Sequence, residues 1–328
     1  MAYLKSMGYW LPRLSVCLAI SVQGTLFADQ ARWEHNMDVA LQAASRQDYA
    51  AAENGFAAAV RELEALNPSD PRLGPTINSL GLAYRAENKY HEAELAFRRA
   101  GNFIEKANAP GSIDVGNCSL NIGSVMVLQG KYNEAEPFLL KAMRIYSKQL
   151  GDNSPKTAVV MGQMGEMYRN LHDPQAEALL KKALDIQETA RGIDDPDVAV
   201  TVNSLAELYA SENLMQKAEP MFKLVMSIRE STAGMDSPEF ATAVERYAAI
   251  LEKMGRFKEA ERHKKLASAV RLMKKAPAGG LSKPREAVDL MSPAASFSRK
   301  ALIPYAAPIK NPVQTPLPMR GNTVAKIQ

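Results

Sequence analysis

Leaving aside single copies at 86–87 and 206–207, the dipeptide Ala-Glu returns six times in one register, at residues 52–53, 93–94, 135–136, 176–177, 218–219 and 260–261. Its glutamates are 41, 42, 41, 42 and 42 residues apart. A second marker keeps step at another phase. Proline follows Asp or Ser at Pro71, Pro155, Pro196 and Pro238, and Ile113 stands where a fifth would fall. Two markers in step at one period leave little choice of architecture: a unit of about forty residues must stack on copies of itself.

Each unit carries two helical stripes. In the unit that begins at Asp70, Ile77, Leu80, Gly81 and Tyr84 recur at steps of three and four, and after the break "RAENKY" so do Ala93, Phe97, Ala100 and Ile104. Small Gly81 and Ala93 allow two antiparallel helices to approach closely, with Tyr84 and Phe97 filling the space beside them. The following units repeat the pattern with Gly123, Met126, Ala135, Leu139 and Ala142, then Gly165, Tyr168, Ala176, Leu180 and Ala183, then Ala206, Tyr209, Ala218 and Phe222. Gly151, Gly192 and Gly234 each precede a proline by four residues, which predicts a left-handed glycine stop. Ser154, Asp195 and Ser237 then cap the next helix, with Pro155, Pro196 and Pro238 in its first position. In the first unit Ala43 takes the place of Tyr84. In the unit with His172-Asp173-Pro174 the inter-helix turn is one residue short. In the last, Lys264 replaces Phe97, a polar end cap that closes the array.

The pattern Gly81, Tyr84, Ala93, Phe97, Ala100 resembles the tetratricopeptide repeat. The 42-residue period and "DDPDVAVTVNSLAELYASENLMQKAEPMF" (Asp194–Phe222) are similar to its long kinesin-light-chain-type variant. The resemblance covers about Arg32 to Lys275 and implies an all-α fold, a right-handed α-solenoid of about six helix pairs. The array spans 29–275, in units of about 32–69, 70–112, 113–154, 155–195, 196–237 and 238–275. It also implies that the first helix of each pair lines a concave groove, where asparagines meet the backbone of a bound segment. The matching positions here are Asn78-Ser79, Leu120-Asn121, Gly162-Gln163 and Asn203-Ser204, at most one asparagine in each. Arg85 and Arg169, further along the same helices, could meet carboxylates. The candidate partner-binding residues are therefore Asn78, Arg85, Asn121, Gln163, Arg169 and Asn203.

Chemistry of other kinds finds no motif. GxxxxGK[ST], HExxH, GxSxG and GxGxxG are all missing from the sequence. The histidines (His35, His91, His172, His263) are scattered, and the paired acids read as a helix start (Asp194, Asp195) and a solvated face (Glu62, Glu64). The methionines, Met126, Met161 and Met164 among them, fall at packing positions. No catalytic residue, metal or cofactor is expected, and the expected partner is a protein or peptide. Net charge is +4, with seven Lys or Arg against two Asp or Glu from Ala276 onward. The repeats are thus slightly acidic, which disfavours nucleic acid as a partner, and no small-molecule substrate is evident.

The two ends differ from the repeats. Lys5 and Arg13 precede an uncharged stretch, Leu14–Ala28, that reads as a signal peptide cleaved after Ala28. The alternatives are an uncleaved anchor or a lipid on Cys17. With the leader removed Cys118 is alone, so no intramolecular disulfide is expected. Export to the periplasm, cell envelope or exterior follows, against a cytoplasmic alternative with a misread start. From 276 to 328 eight prolines and no apolar period read as a disordered basic tail. The leading reading is an exported interaction scaffold. Its rivals are an accessory subunit or enzyme with an unrecognised site, and a cytosolic adaptor.

Overall fold

The structure, a computed structural model, describes residues 30–275. The expected leader and its cleavage point, and the segment 276–328, lie outside the described residues. Twelve helices follow one another and the described residues contain no strand. The chain divides between Gly192 and Ile193 into two compact units. The first holds α1 (30–45), α2 (Tyr49–Leu66), α3 (Leu73–Ala86), α4 (Tyr90–Ala107), α5 (Ile113–Leu128), α6 (Tyr132–Leu150), α7 (Pro155–Asn170) and α8 (Gln175–Arg191). The second holds α9 (Pro196–Ser211), α10 (Met215–Ala233), α11 (Pro238–Lys253) and α12 (Phe257–Lys275).

Within each unit helices pack on their neighbours in sequence. In the first, α3 packs on α4, α5 on α6 and α7 on α8, and α2–α3, α4–α5 and α6–α7 join pair to pair. In the second, α9 packs on α10 and α11 on α12, with α10–α11 between the pairs. This is the layered helix-pair packing expected from the two stripes per repeat.

The close approach is made at one register. A Cβ added to Gly81 would meet Phe97 Cε1 at 2.7 Å, one at Gly123 would meet Leu139 Cδ2 at 2.7 Å, and one at Gly165 would meet Leu180 Cγ at 2.6 Å. Phe97, Leu139 and Leu180 are fully buried there, each adding about 1.5–3 kcal/mol of transfer free energy. Ala93, Ala135, Ala176, Ala218 and Ala260, from the Ala-Glu pairs, are almost entirely sheltered from solvent.

The helix starts are those expected. Ser154, Asp195 and Ser237 accept from Thr157, Asp197 and Phe240 N–H, and each is followed by proline at the first helical position. Ser112 caps α5 where no proline follows. The helix stops differ in detail. Gly151, Gly192 and Gly234 have φ of 90°, 82° and 87°, but ψ of 159°, 167° and 157°. Their backbone is extended at positive φ, which glycine adopts without a Cβ clash, and is not left-handed helical.

The intra-pair turns carry a positive φ of their own, at Gln47, Asn88, Gly130, His172, Asn213 and Gly255. Each closes with paired reverse bonds: Lys89 N–H to Tyr84 C=O with Asn88 N–H to Arg85 C=O, and likewise Leu214 to Tyr209 with Asn213 to Ala210. That is the Schellman geometry, which satisfies carbonyls left over at a helix end. The shortened turn is absorbed at the start of α8. There Ala176 N–H reaches only three residues back, to Asp173 C=O, where Ala135 N–H reaches four, to Lys131 C=O. Asp173 Oδ1 also accepts from Gln175 N–H at 2.9 Å.

Candidate partner-binding face

The glutamate of the Ala-Glu pair ties one helix pair to the next. Glu53 binds Lys89 in the first unit, and Glu94 Oε2 lies 2.8 Å from Lys131 Nζ while its Oε1 takes Arg98. Where the cation is missing, Tyr168 OH donates to Glu136 at 2.8 Å. In the second unit Glu219 takes Lys223, Arg256 and the Tyr247 hydroxyl. Burial raises the Glu94 carboxyl, but bonds from Lys131 and Arg98 outweigh it and hold the group below its ordinary range. These ties engage the second helices and the turns, and of the first helices only Tyr168 on α7 and Tyr247 on α11 take part in them. The first helices remain to carry a binding face.

In the first unit the row runs across α3, α5 and α7. Asn121 Nδ2 donates to Asn78 Oδ1 at 2.8 Å, so the structure brings together two of the expected residues. The Asn78 amide N–H groups and the Asn121 carbonyl oxygen keep unused hydrogen-bonding capacity. Gln163 and Arg169 are half-buried on α7, and Arg85 is half-buried on α3. The α5–α7 link is made by Asn117 Oδ1, which accepts from Lys156 Nζ at 3.3 Å and from the buried Tyr146 hydroxyl at 2.7 Å.

Asn203 lies in the second unit, on α9. Its Nδ2 donates to Glu207 Oε1 at 3.0 Å, and its Oδ1 is buried without a hydrogen-bond partner among the described residues. Arg246 Nη1 of α11 reaches the same Glu207 oxygen at 2.6 Å. Sequence reasoning missed Asn117, Lys156, Glu207 and Arg246. The available signal was polar pairs spaced 39 residues apart, just under one period.

Lys264 is exposed and pairs with Glu252 at 2.6 Å, so the position filled by Phe97 in its own repeat carries an ion pair here. His35, His91 and His172 are exposed and His263 is half-buried. Asp195 serves as a helix cap, and Glu62 and Glu64 pair with Arg32 and Arg99. Among the described residues no cluster of His, Cys, Asp or Glu could hold a metal ion, and no helix is long and apolar enough to cross a membrane.

Repeated helix pairs with small–large packing define a helical repeat protein. The tetratricopeptide repeat model matches residues 117–189 and 163–231. Residues 117–231 are thus matched as tetratricopeptide repeats, and the fold of the described residues is the one adopted by kinesin-light-chain-type repeats. Among solved structures it is similar to BtubC (BKLC) from P. vanneervenii, at 18% identity and a TM-score of 0.54, over 78% of this chain and 96% of that one. It is also similar to the nearly identical TPR-like kinesin light chain repeats of Podosopora anserina, at 17% identity and a TM-score of 0.50, over 62% and 97%. A third is the apo quorum sensor NprR from B. thuringiensis, at 15% identity and a TM-score of 0.51, over 82% and 86%. At these identities the likeness is one of fold. No curated protein matches the chain.

Proposed function

We propose that the chain is a non-enzymatic scaffold that holds a protein or peptide partner on the face formed by the first helices of its pairs. The observation that carries this reading is the Asn78–Asn121 pair. The bond between them fixes both side chains and leaves a donor on one and an acceptor on the other. A peptide group offers the complementary acceptor and donor, so the pair suits main-chain recognition without regard to sequence. Gln163 on α7 extends the row, and Arg85 and Arg169 add positive charge for side-chain selection. Asn203, already tied to Glu207, belongs to the corresponding face of the second unit.

The reading is supported by the repeat class, whose general use is protein interaction. The test is affinity capture from the native cell extract with the unaltered chain and with Asn78→Ala, Asn121→Ala and Asn203→Ala combined. Partner recovery should fall by about tenfold or more as several interfacial hydrogen bonds are lost. Unchanged recovery from a variant of normal helix content overturns the proposal. We further propose export, from the leader read at Leu14–Ala28. Mass spectrometry of the mature protein should find Asp29 first, and an intact Met1 in soluble cytosolic protein refutes it.

A further inference from the structure

The α3 helix carries an arginine that nothing in the described residues neutralises. Arg85 is half-buried, yet it makes no ion pair or hydrogen bond there. Burial pulls its pKa below the ordinary guanidinium value, and the Tyr90 phenol is the only opposing influence. No acidic residue occurs in α3 at all. The second helices of the same unit, and the turns that lead into them, behave differently: Lys89, Arg98, Arg99, Lys131 and Lys141 each face a glutamate. A desolvated cation without its counterion is costly, and a carboxylate brought by a partner would relieve that cost with a charge-assisted bond.

Apolar surface lies beside it. Leu82, one turn before Arg85, is 37% exposed, and Leu41 on α1 is 52% exposed. The two leucines occupy the same register, each six residues before the positive-φ residue of its own pair (Asn88 and Gln47). The helices that carry them meet in one buried cluster, in which Ala40 and Ala43 of α1 join Ala83 of α3, with Met37, Ala44 and Leu80 packed against it. Asn78, a further turn back on α3, holds Asn121. Asn78, Leu82 and Arg85 thus follow one another at helical spacing along one side of α3.

Resting on the scaffold reading, we propose that this stretch of α3, with Leu41 beside it, is a specificity subsite for a peptide segment that carries an acidic side chain next to an aliphatic one. The carboxylate accepts from the Arg85 guanidinium. The aliphatic group covers Leu82 and Leu41, and the Asn78–Asn121 pair holds the intervening main chain. A subsite of this kind selects against basic peptides, which would place a second cation beside one that is already poorly solvated.

The probe is a set of short synthetic peptides in a Gly/Ser background, each with one Asp and one Leu at varied separation, and the full chain as the binder. The best binder should weaken about tenfold on Asp→Asn, and its affinity should fall with added salt. Arg85→Gln should make the Asp and Asn peptides equal, Arg85→Lys should restore part of the preference, and Leu82→Ser should weaken Leu peptides alone. If Arg85→Gln loses its helical signal, the Asp-over-Asn preference and salt dependence of the unaltered chain decide the matter. No binding by any peptide, no Asp preference, or a preference that survives Arg85→Gln overturns the subsite. Should that happen while capture still depends on Asn78 and Asn121, the subsite chemistry fails and the scaffold reading stands. Capture indifferent to those asparagines removes the scaffold reading itself.

Discussion

Arg256 Nη1 lies 2.8 Å from Glu219 Oε1 and so ties the turn of the last helix pair to the second helix of the pair before it. Burial pushes the Glu219 carboxyl up, but bonds from Lys223 and Arg256 override this and hold it down to about 2. A carboxyl held below its free value of 4.5 adds stability above that pH and gives it up as pH falls toward 2. Glu219→Gln should therefore cost about 1–2 kcal/mol near pH 7 and almost nothing near pH 2. Urea unfolding of both chains across this range measures the gap. A gap independent of pH would show that the charge of Glu219 is not what stabilises the joint.

Gly165 faces Leu180, whose Cγ would lie 2.6 Å from an added Cβ and whose backbone N would lie 3.4 Å away. Gly165→Ala should cost about 1–3 kcal/mol by overpacking. Combined with Leu180→Ala it should cost clearly less than the two changes added, because the new methyl fills part of the cavity. Thermal unfolding of the four chains checks this, and strict additivity would mean that the two sites do not press on each other.

Ser237 accepts from Phe240 N–H at 3.1 Å and donates to Gly234 C=O at 2.8 Å, joining the end of α10 to the start of α11. Ser237→Ala should lower stability by about 1–2 kcal/mol, and Ser237→Asp should recover most of it through the retained acceptor. Equal melting of Ser237→Ala and the parent would remove the cap from the account.

Cys118 is buried between α4 and α5, with Sγ 3.5 Å from Phe97 C=O, and burial pushes its thiol up to about 11. It should resist a water-soluble disulfide reagent at mildly alkaline pH and react promptly in urea. Rapid modification of Cys118 in the folded chain would show that the α4–α5 joint opens freely.

Much of this fold is legible because its rules are local and repeated. Ala93 and Gly81 are small for a reason that neighbouring residues disclose, and Pro155 with Ser154 marks a helix start on its own. What the sequence hides is long-range pairing. Glu94 reads as part of a marker, and its partner Lys131 lies one repeat away with nothing in either residue to announce it. The asparagine row misleads in another way. Asn78 and Asn121 fall one position apart in repeat register, so each unit appears to have lost half of a pair. Adjacent helices nonetheless bring the two into a single hydrogen bond across the joint. The turn geometry was equally hidden, because His172 and Gln47 adopt positive φ where composition alone would look for glycine.

The most direct test of a binding face on the first helices is hydrogen exchange of the full chain with and without its captured partner. Binding should slow exchange in peptides from α3 (Leu73–Ala86) and α5 (Ile113–Leu128), and leave α4 (Tyr90–Ala107) and α6 (Tyr132–Leu150) unchanged. Protection confined to α4 and α6 would place the partner on the second helices and contradict the account.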